Sequence, residues 1–501
     1  MHRCAAFVLA VSLTIASSVR TQPTVSQSKP LLLAHFMPWY VAPPVASEWG
    51  WHWTMNHFDP NVTEANGKRE IASHYYPLTG PYDSMDGDIL EYQVLLMKLS
   101  GIDGILVDWY GIGALWDYPV INERTNAAFD YIRKAGLQFA IVYEDQTITH
   151  MISQNVLQET DKYRHAQETM RYLEETWFKT AEYVKIEDQP VLLTFGPQHF
   201  EDSAEWENIF SVLSVQPLFF TLDNRLAPAV GAFSWPPMWK TSANGTLSQA
   251  SLREYLVQFS ATSAAWPFRV SSAFPAFHDI YQEAGVSDGY GYLDPGDGST
   301  FALTLERALS DAPQIIQLVT WNDYGEGTII EPTEETGYRY LDMVQNFKRS
   351  AIDSTFQPQP EHLQLPLQLY TLRRQHANDR KINDTLDRVF ELFVDMKLDS
   401  AHKVLDILER GENPDEKASP EFGLKNHPNP FSARTTITYH VSSSSYVTIR
   451  VYNCAGQCVA ELVNAHQDAG EHAVLWEAGD VSAGIYFYRY DEMAQKCLLL
   501  K

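Results

Sequence analysis

The sequence predicts a (β/α)₈ barrel, followed by a helical hairpin and a small C-terminal β-sandwich. Two observations predict the barrel. From Lys29 to about Phe347, apolar runs alternate with amphipathic segments of helical period, which is the pattern of a parallel α/β sheet. Several of these runs turn polar and aromatic only at their C-terminal ends, the face where barrel enzymes build their active sites. An open doubly wound sheet is the alternative fold.

Eight apolar runs qualify as strands of the barrel. They begin at Leu31, Ile102, Leu137, Pro190, Pro217, Ala229, Ser271 and Gln314. Amphipathic stretches, such as those from Asp88 and from Asn122, predict helices between most of them. Only the sequence RLAP separates the fifth run from the sixth, which is too short for a helix. Either a helix is missing there, or the fifth strand is misplaced.

The chain divides into five segments. A basic start, an apolar run and small residues predict a signal peptide over residues 1–21. The catalytic barrel is expected over residues 29–355, and a helical hairpin over residues 356–411. A polar linker over residues 412–425 precedes residues 426–501, whose short alternating strands predict the β-sandwich.

Composition and charge limit the classes of partner. Asp plus Glu outnumber Lys plus Arg by 63 to 37, which gives a net charge of −26. Such a surface repels phosphate backbones, so no nucleic-acid partner is expected, whereas a neutral glycan is compatible with it. The sequence carries no zinc-protease, phosphate-loop or nucleophile-elbow motif, and we expect neither a metal ion nor another cofactor. Cys454 and Cys458 flank a predicted turn and could either form a disulfide or remain thiols.

The segment TWNDYGEGTIIEPT is the most informative part of the chain. Asp323, Glu326 and Glu331 follow a predicted buried strand and are interleaved with aromatic residues. Glycosidic cleavage usually needs two carboxyl groups whose environments hold their pKa values apart, so that one of them can donate a proton to the leaving oxygen. Gly325 and Gly327 let the backbone turn tightly, so both acids can face one cavity. The alternative is a solvated acidic loop.

Other residues near the strand ends are candidates for substrate binding. Their carboxyl groups could hydrogen-bond sugar hydroxyls and their rings could stack on sugars, with buried structural acids and core packing as the alternatives. The candidates are Trp39, Tyr40, His52, Trp53, Asp108, Trp109, Tyr110, Tyr143, Glu144, Trp235, His278, Trp321, Asn322 and Tyr324.

The motif WNDYGEGT resembles the motif after strand eight in glycoside hydrolase families 71 and 99. The resemblance covers roughly residues 30–350, and it implies Asp323 as the first catalytic carboxylate and Glu326 as the second. Family 71 enzymes cleave α-1,3-glucan, and family 99 enzymes cleave α-mannosidic linkages. Aspartate at position 323 favours the glucan, whereas the first loop, with its HW and NH pairs, is more similar to family 99. The choice between a retaining and an inverting reaction stays open.

The C-terminal segment carries a second resemblance. The sequences NPF at 429–431, VYN at 451–453 and GIYF at 484–487 are similar to those of type A sorting domains of the type IX secretion system. The resemblance implies that the secretion machinery is a partner and that the protein is secreted or held at the outer-membrane surface. The alternative is a plain β-sandwich that binds sugar or serves as a spacer.

These observations predict a secreted, endo-acting glycoside hydrolase. Its substrate is expected to be an α-linked polysaccharide, either α-1,3-glucan-like or α-mannan-like, with Glu326 as the general acid and Asp323 as its partner base. The competing hypothesis is a catalytically inactive barrel that binds glycan at the outer-membrane surface. A binding protein has no need of both acids, so the pair discriminates between the two.

Overall fold

The computed structural model describes residues 29–242, 245–412, 424–441, 444–490 and 493–500. The predicted signal peptide over residues 1–21 and most of the predicted linker lie outside the described residues. Within the described part of the chain, no helix is both long enough and apolar enough to cross a membrane.

Eight parallel strands form the barrel, which confirms the predicted fold. They are β1 Leu31–Phe36, β2 Gly104–Trp109, β3 Gln138–Tyr143, β4 Gln189–Thr194, β5 Leu218–Leu222, β6 Gly231–Phe233, β7 Val270–Ala273 and β8 Ile315–Leu318. Strands β1 to β6 pair in chain order, β1 also pairs with β8, and β8 pairs with β7. The described residues form no hydrogen-bonded ladder between β6 and β7. The chain nevertheless packs closely there. A Cβ at Gly231 on β6 would lie only 2.3 Å from the carbonyl oxygen of Phe268, two residues before β7.

Helices surround the strands and continue beyond them. In the described residues they are α1 Trp51–Thr54, α2 Gly87–Ser100, α3 Tyr118–Lys134, α4 Gln146–Ser153, α5 Lys162–Leu173, α6 Ser203–Phe210, α7 Gln249–Ser263, α8 Ser299–Ser310, α9 Arg339–Phe347, α10 Leu365–Gln375, α11 Arg380–Val394 and α12 Leu398–Glu409. Residues 223–230, all of them described, contain no helix. Since β5 begins at Leu218, one residue after the predicted start, a missing helix explains the short spacing.

Helix α2 illustrates how local sequence sets these boundaries. The side chain of Asp86 accepts a hydrogen bond from the backbone N–H of Asp88 at 3.0 Å and caps the N-terminus. Gly101 ends the helix with φ of 84°, a left-handed conformation that favours glycine. Leu95 and Leu96 between these ends are fully buried. The helix is therefore fixed both by its caps and by the core it covers.

Three helices follow the barrel, where a hairpin of two was predicted. Helices α11 and α12 occupy the expected segments, and α10 precedes them. Arg373 on α10 donates to both carboxylate oxygens of Glu91 on α2, each at 2.7 Å. Leu372 of α10 and Phe393 of α11 belong to the same hydrophobic core as the barrel strands. These helices are thus packed into the barrel's own core.

The C-terminal segment forms two antiparallel sheets, as predicted. Its strands are β9 Lys425–His427, β10 Arg434–Val441, β11 Ser445–Asn453, β12 Cys458–Gln467, β13 Gly470–Glu477, β14 Gly484–Tyr490 and β15 Met493–Leu499. One sheet has the order β9-β10-β13 and the other the order β12-β11-β14-β15. The segment has a hydrophobic core of its own, which includes Ile449 and Trp476. Cys454 and Cys458 are exposed free thiols, so the disulfide left open by the sequence is not formed here.

Candidate active site

The turn after β8 places Asp323 and Glu326 together at the C-terminal end of the barrel. The backbone N–H of Glu326 donates to Asp323 Oδ1 at 2.9 Å, and the N–H of Asp323 donates to Thr320 Oγ1 at 2.8 Å. Gly327 continues the turn with φ of 66° and donates its N–H to the Asp323 carbonyl oxygen at 2.9 Å. Gly325 is not left-handed, but a Cβ there would lie 3.1 Å from Met55 Cε and 3.4 Å from Asp323 Oδ1. Both glycines therefore serve this turn, one by its backbone conformation and one by its small size.

Four acids from three strand ends interact electrostatically at this face. Asp108 is the last residue but one of β2, Glu144 follows β3, and Asp323 and Glu326 follow β8. Burial raises the pKa of Asp108 well above its usual range, and the charges of Glu144, Asp323 and Glu326 raise it further. Burial also raises the pKa of Glu144 to about 8. None of the four forms an ion pair with Lys or Arg in the described part of the chain.

The environments of the two acids on the turn hold their pKa values apart. Burial raises the pKa of Glu326 well above its usual range, and the negative charge of Asp323 raises it further. Burial raises the pKa of Asp323 only to about 6, because the N–H groups of Glu326 and Gly325 stabilise its charged form. The indole Nε1–H of Trp235 donates to Glu326 Oε2 at 3.2 Å. Glu326 is thus placed to hold a proton while Asp323 is ionised.

A hydrogen-bonded network lies beneath the turn and holds it against the first loop. Tyr40 Oη donates to the Asn322 carbonyl oxygen at 2.8 Å, and the Asn322 side chain accepts from the Met37 N–H at 2.8 Å. Glu331, the third acid of the motif, is fully enclosed and accepts hydrogen bonds from Tyr82, Tyr324 and Gln93. Those three distances are 2.8, 2.8 and 2.7 Å. Glu331 therefore has a structural position under the acid pair.

Half of the predicted substrate-binding residues lie in the interior. Seven have no more than 1% of their surface exposed: Tyr40, Trp53, Trp109, Tyr143, Trp321, Asn322 and Tyr324. They therefore present almost no surface to a ligand in this structure, and several of their rings pack on other aromatic rings. The Tyr40 and Trp53 ring centroids, for example, are 4.2 Å apart. Direct contact of these seven residues with sugar stays a prediction.

The remaining candidates lie nearer the barrel mouth. The rings of Trp39 and His52 stack with centroids 4.3 Å apart, and His52 Nε2 lies 3.3 Å from Asp117 Oδ2. Tyr110 is partly exposed and lies beside Trp39, with 6.3 Å between the ring centroids. His278 donates its backbone N–H to the Glu326 carbonyl oxygen at 2.8 Å. With Trp235, Asp108 and Glu144, these residues are the predicted candidates that stay available for substrate.

Sequence reasoning missed several residues of the site. The charges of Glu326 and Asp323 help to raise the pKa of the Tyr281 phenol, which burial alone already raises. His74 stacks on His278 with ring centroids 3.7 Å apart. Asp145 accepts the backbone N–H groups of Gln198 and His199, each at 2.8 Å, and so holds the loop after β4. For Tyr281 and Asp145 the available signal was their position just after a strand. His74 lies in a long loop, and no feature of the sequence indicates its place in the site.

The described residues contain no group of three or more His, Cys, Asp or Glu side chains placed to hold a metal ion. The chemistry available at this face is that of carboxyl groups in a poorly solvated pocket. Such groups can donate or accept protons near neutral pH, since their pKa values lie well above those of exposed acids.

Comparisons with known proteins find relatives of this chain. A zebrafish (Danio rerio) glycoprotein endo-alpha-1,2-mannosidase-like protein is 24% identical over 341 residues, which are 61% of this chain and 72% of that protein. The glycoprotein endo-alpha-1,2-mannosidase of Mus musculus is 20% identical over 375 residues, 66% of this chain and 75% of that protein. The chain is thus similar in sequence to proteins named as endo-alpha-1,2-mannosidases or as like them. The homologues indicate a glycoside hydrolase, as the sequence predicted.

Two further comparisons concern the structure and the C-terminal segment. The family 99 endo-alpha-mannosidase of Bacteroides thetaiotaomicron superimposes with a TM-score of 0.47 at 18% identity, covering 63% of this chain and 96% of that one. Residues 425–498 of this chain match the family model of the secretion system C-terminal sorting domain. The predicted sorting domain is thereby confirmed, and with it the expected destination in the medium or at the outer-membrane surface.

Proposed function

We propose that this protein is a secreted endo-acting glycoside hydrolase that cleaves α-mannosidic linkages within a glycan. The observation that carries the proposal is the acid pair on one turn, in which the pKa of Glu326 is raised well above its usual range and that of Asp323 is raised only to about 6. Of the two predicted substrates, the α-mannan-like one is favoured because the sequence relatives are named as endo-alpha-1,2-mannosidases.

In the proposed reaction, Glu326 donates its proton to the glycosidic oxygen as the bond to the leaving sugar breaks. The Trp235 indole N–H, 3.2 Å from Glu326 Oε2, stabilises the carboxylate that forms. Asp323 acts as the base, and its two backbone N–H donors favour its ionised form. It takes a proton either from the water that forms the new bond to the anomeric carbon, or from the sugar 2-hydroxyl, whose oxygen forms that bond first and is then displaced by water. Asp108 and Glu144, whose pKa values are also raised, bind sugar hydroxyls as hydrogen-bond donors or acceptors.

The pH dependence follows from these roles. The base is active only when ionised, so activity should rise with pH through the Asp323 pKa of about 6. The acid is active only when protonated, so activity should fall again as the pH rises through the Glu326 pKa, which is higher. A bell-shaped profile with its acidic limb near pH 6 is expected for kcat/KM.

The decisive experiment compares Glu326→Gln with wild type on two substrates. Loss of a general acid should slow cleavage of an α-mannan oligosaccharide by roughly 10²–10⁴-fold. A mannoside with an activated aryl leaving group needs little protonation, so its bond-cleavage step should slow much less. Glu283→Gln, at an exposed acid near His74, is the matched control and should leave both rates unchanged.

Two outcomes would contradict the proposal. Mannan turnover by Glu326→Gln within a few-fold of wild type would remove Glu326 as the acid, and Glu144 or Asp108 would then be tested. Binding of the oligosaccharide by the wild-type protein without any cleavage would favour the inactive glycan-binding barrel instead.

A further inference from the structure

The side chain of Trp235 is held between two rings. Its indole meets the imidazole of His35 with centroids 4.9 Å apart at 74°, and the ring of Phe195 with centroids 4.9 Å apart at 83°. Only 7% of Trp235 is exposed, so these near-perpendicular contacts set the direction of the indole. That direction points the Nε1–H at Glu326 Oε2.

His35 is itself fixed inside the barrel. It lies on β1 with no exposed surface, and its Nδ1 is 3.1 Å from the side-chain Nε2 of Gln317 on β8. Because an amide nitrogen only donates, Nδ1 accepts and the imidazole proton resides on Nε2. The backbone carbonyl oxygen of His35 accepts the N–H of Trp321 at 2.6 Å, which ties the same residue to the start of the acid-bearing turn.

The imidazole is also uncharged at working pH, since burial lowers the pKa of His35 to about 3. A positive charge beside Trp235 would favour the ionised form of Glu326 and so oppose its role as an acid. A neutral ring fixes the indole without adding that charge. A flat, buried and uncharged side chain is what the geometry requires here.

We infer that His35 is a positioning residue for the general acid, acting through Trp235: it holds the indole so that Nε1–H donates to Glu326. This inference rests on the proposed function. It assigns Trp235 to the acid, where sequence reasoning expected it to stack on sugar.

The test is the alkaline limb of the kcat/KM profile on the mannan oligosaccharide. The Trp235 hydrogen bond lowers the pKa of Glu326, so Trp235→Phe should move the limb to higher pH by about one unit. His35→Leu removes the flat ring and should move the limb in the same direction. His35→Phe keeps a flat ring at that position and should leave the limb where it is in wild type. Both His35 variants lose the Gln317 partner, so a purely structural role would affect them alike.

The double variant His35→Leu/Trp235→Phe completes the test. If His35 acts through Trp235, the double variant should show the limb of Trp235→Phe and no further shift. A limb unchanged in His35→Leu, or shifts that add in the double variant, would overturn the inference. If His35→Leu does not fold, a limb in His35→Phe displaced as far as in Trp235→Phe would also overturn it. Failure of the proposed function is a separate outcome. It would appear as a Glu326→Gln variant that does not lose more activity on the mannan oligosaccharide than on the aryl mannoside.

Discussion

Buried acids in two regions of this protein differ in whether they have a cationic partner. Beside α2, Asp83 is paired with Arg124 at 2.8 Å, and their side chains are only 1% and 8% exposed. At the barrel mouth, Asp108, Asp323 and Glu326 are buried or partly buried near one another without a cationic partner among the described residues. The charges of neighbouring acids help to raise the pKa values of Asp108 and Glu326.

This difference distinguishes buried acids that contribute to the stability of the fold from buried acids that lower it. A buried carboxylate is tolerated when a guanidinium and backbone N–H groups satisfy it, as the Ala42 N–H satisfies Asp83 at 2.9 Å. The acid cluster at the barrel mouth has hydrogen-bond donors but no guanidinium among the described residues, so its charged form destabilises the fold and points to a function that needs it. Glu331 is a third case, in which neutral hydroxyl and amide donors replace the cation.

The largest effect that would sharpen this comparison is expected for Asp323→Asn. The variant keeps the shape of the turn but removes the base, so both the mannan oligosaccharide and the aryl mannoside should be cleaved about 10³–10⁴-fold more slowly. Stopped assays at the pH optimum measure the two rates, and thermal unfolding checks the fold. A selective loss on the mannan alone would instead assign the proton-donating role to Asp323.

The second test removes the cationic partner of Asp83 beside α2. Arg124→Met leaves Asp83 buried without its cation, which should lower the free energy of unfolding by about 3 kcal/mol. Chemical denaturation measures the change. Arg164→Met, which removes a solvent-exposed arginine paired with Asp161 and Glu168, is the matched control and should have no measurable effect. Equal stability of the two variants would show that the pair beside α2 does not hold the fold.

The smallest effect is a gain of stability that depends on pH. Glu144 has an ordinary pKa of 4.5 when unfolded and about 8 when folded, so the folded state binds the proton more tightly. Its cost to stability is absent below about pH 4, grows as the pH rises, and is complete above about pH 8. Glu144→Gln should therefore stabilise the protein at pH 8, and the gain should vanish toward pH 4. A stability difference that does not vary with pH would contradict the raised pKa.

The position of the acid pair could be predicted because both acids and both glycines of the turn lie close together in the sequence. Asp323 and Glu326 are three positions apart beside two glycines, which predicts that they share one turn. The turn follows a strand, which places it at the barrel mouth. The missing helix between β5 and β6 was visible as a spacing too short to hold one. The orientations of Trp321 and Tyr324 were not predictable, because the alternation of a strand ends at Leu318 and an irregular loop has no period.

Long-range partners were equally beyond local reasoning. Arg373 and Glu91 lie 282 positions apart, and nothing in either local sequence identifies the other. Helix α10 lies within the segment predicted as a helical hairpin, but its contact with α2 could not be predicted from the local sequence of either helix. The structure therefore adds mainly the directions of side chains and the partners that tertiary packing brings together.

The junction between β6 and β7 has a mechanical consequence. Elsewhere in the barrel, neighbouring strands are joined by a ladder of hydrogen bonds that must break before the strands can part. The described residues of β6 and β7 form no such ladder, and close packing at Gly231 takes its place. Separation along this line would break packing contacts and no ladder bonds, so local opening of the barrel wall should cost least there. Trp235 lies two residues after the end of β6, so this part of the wall adjoins the residue that hydrogen-bonds Glu326.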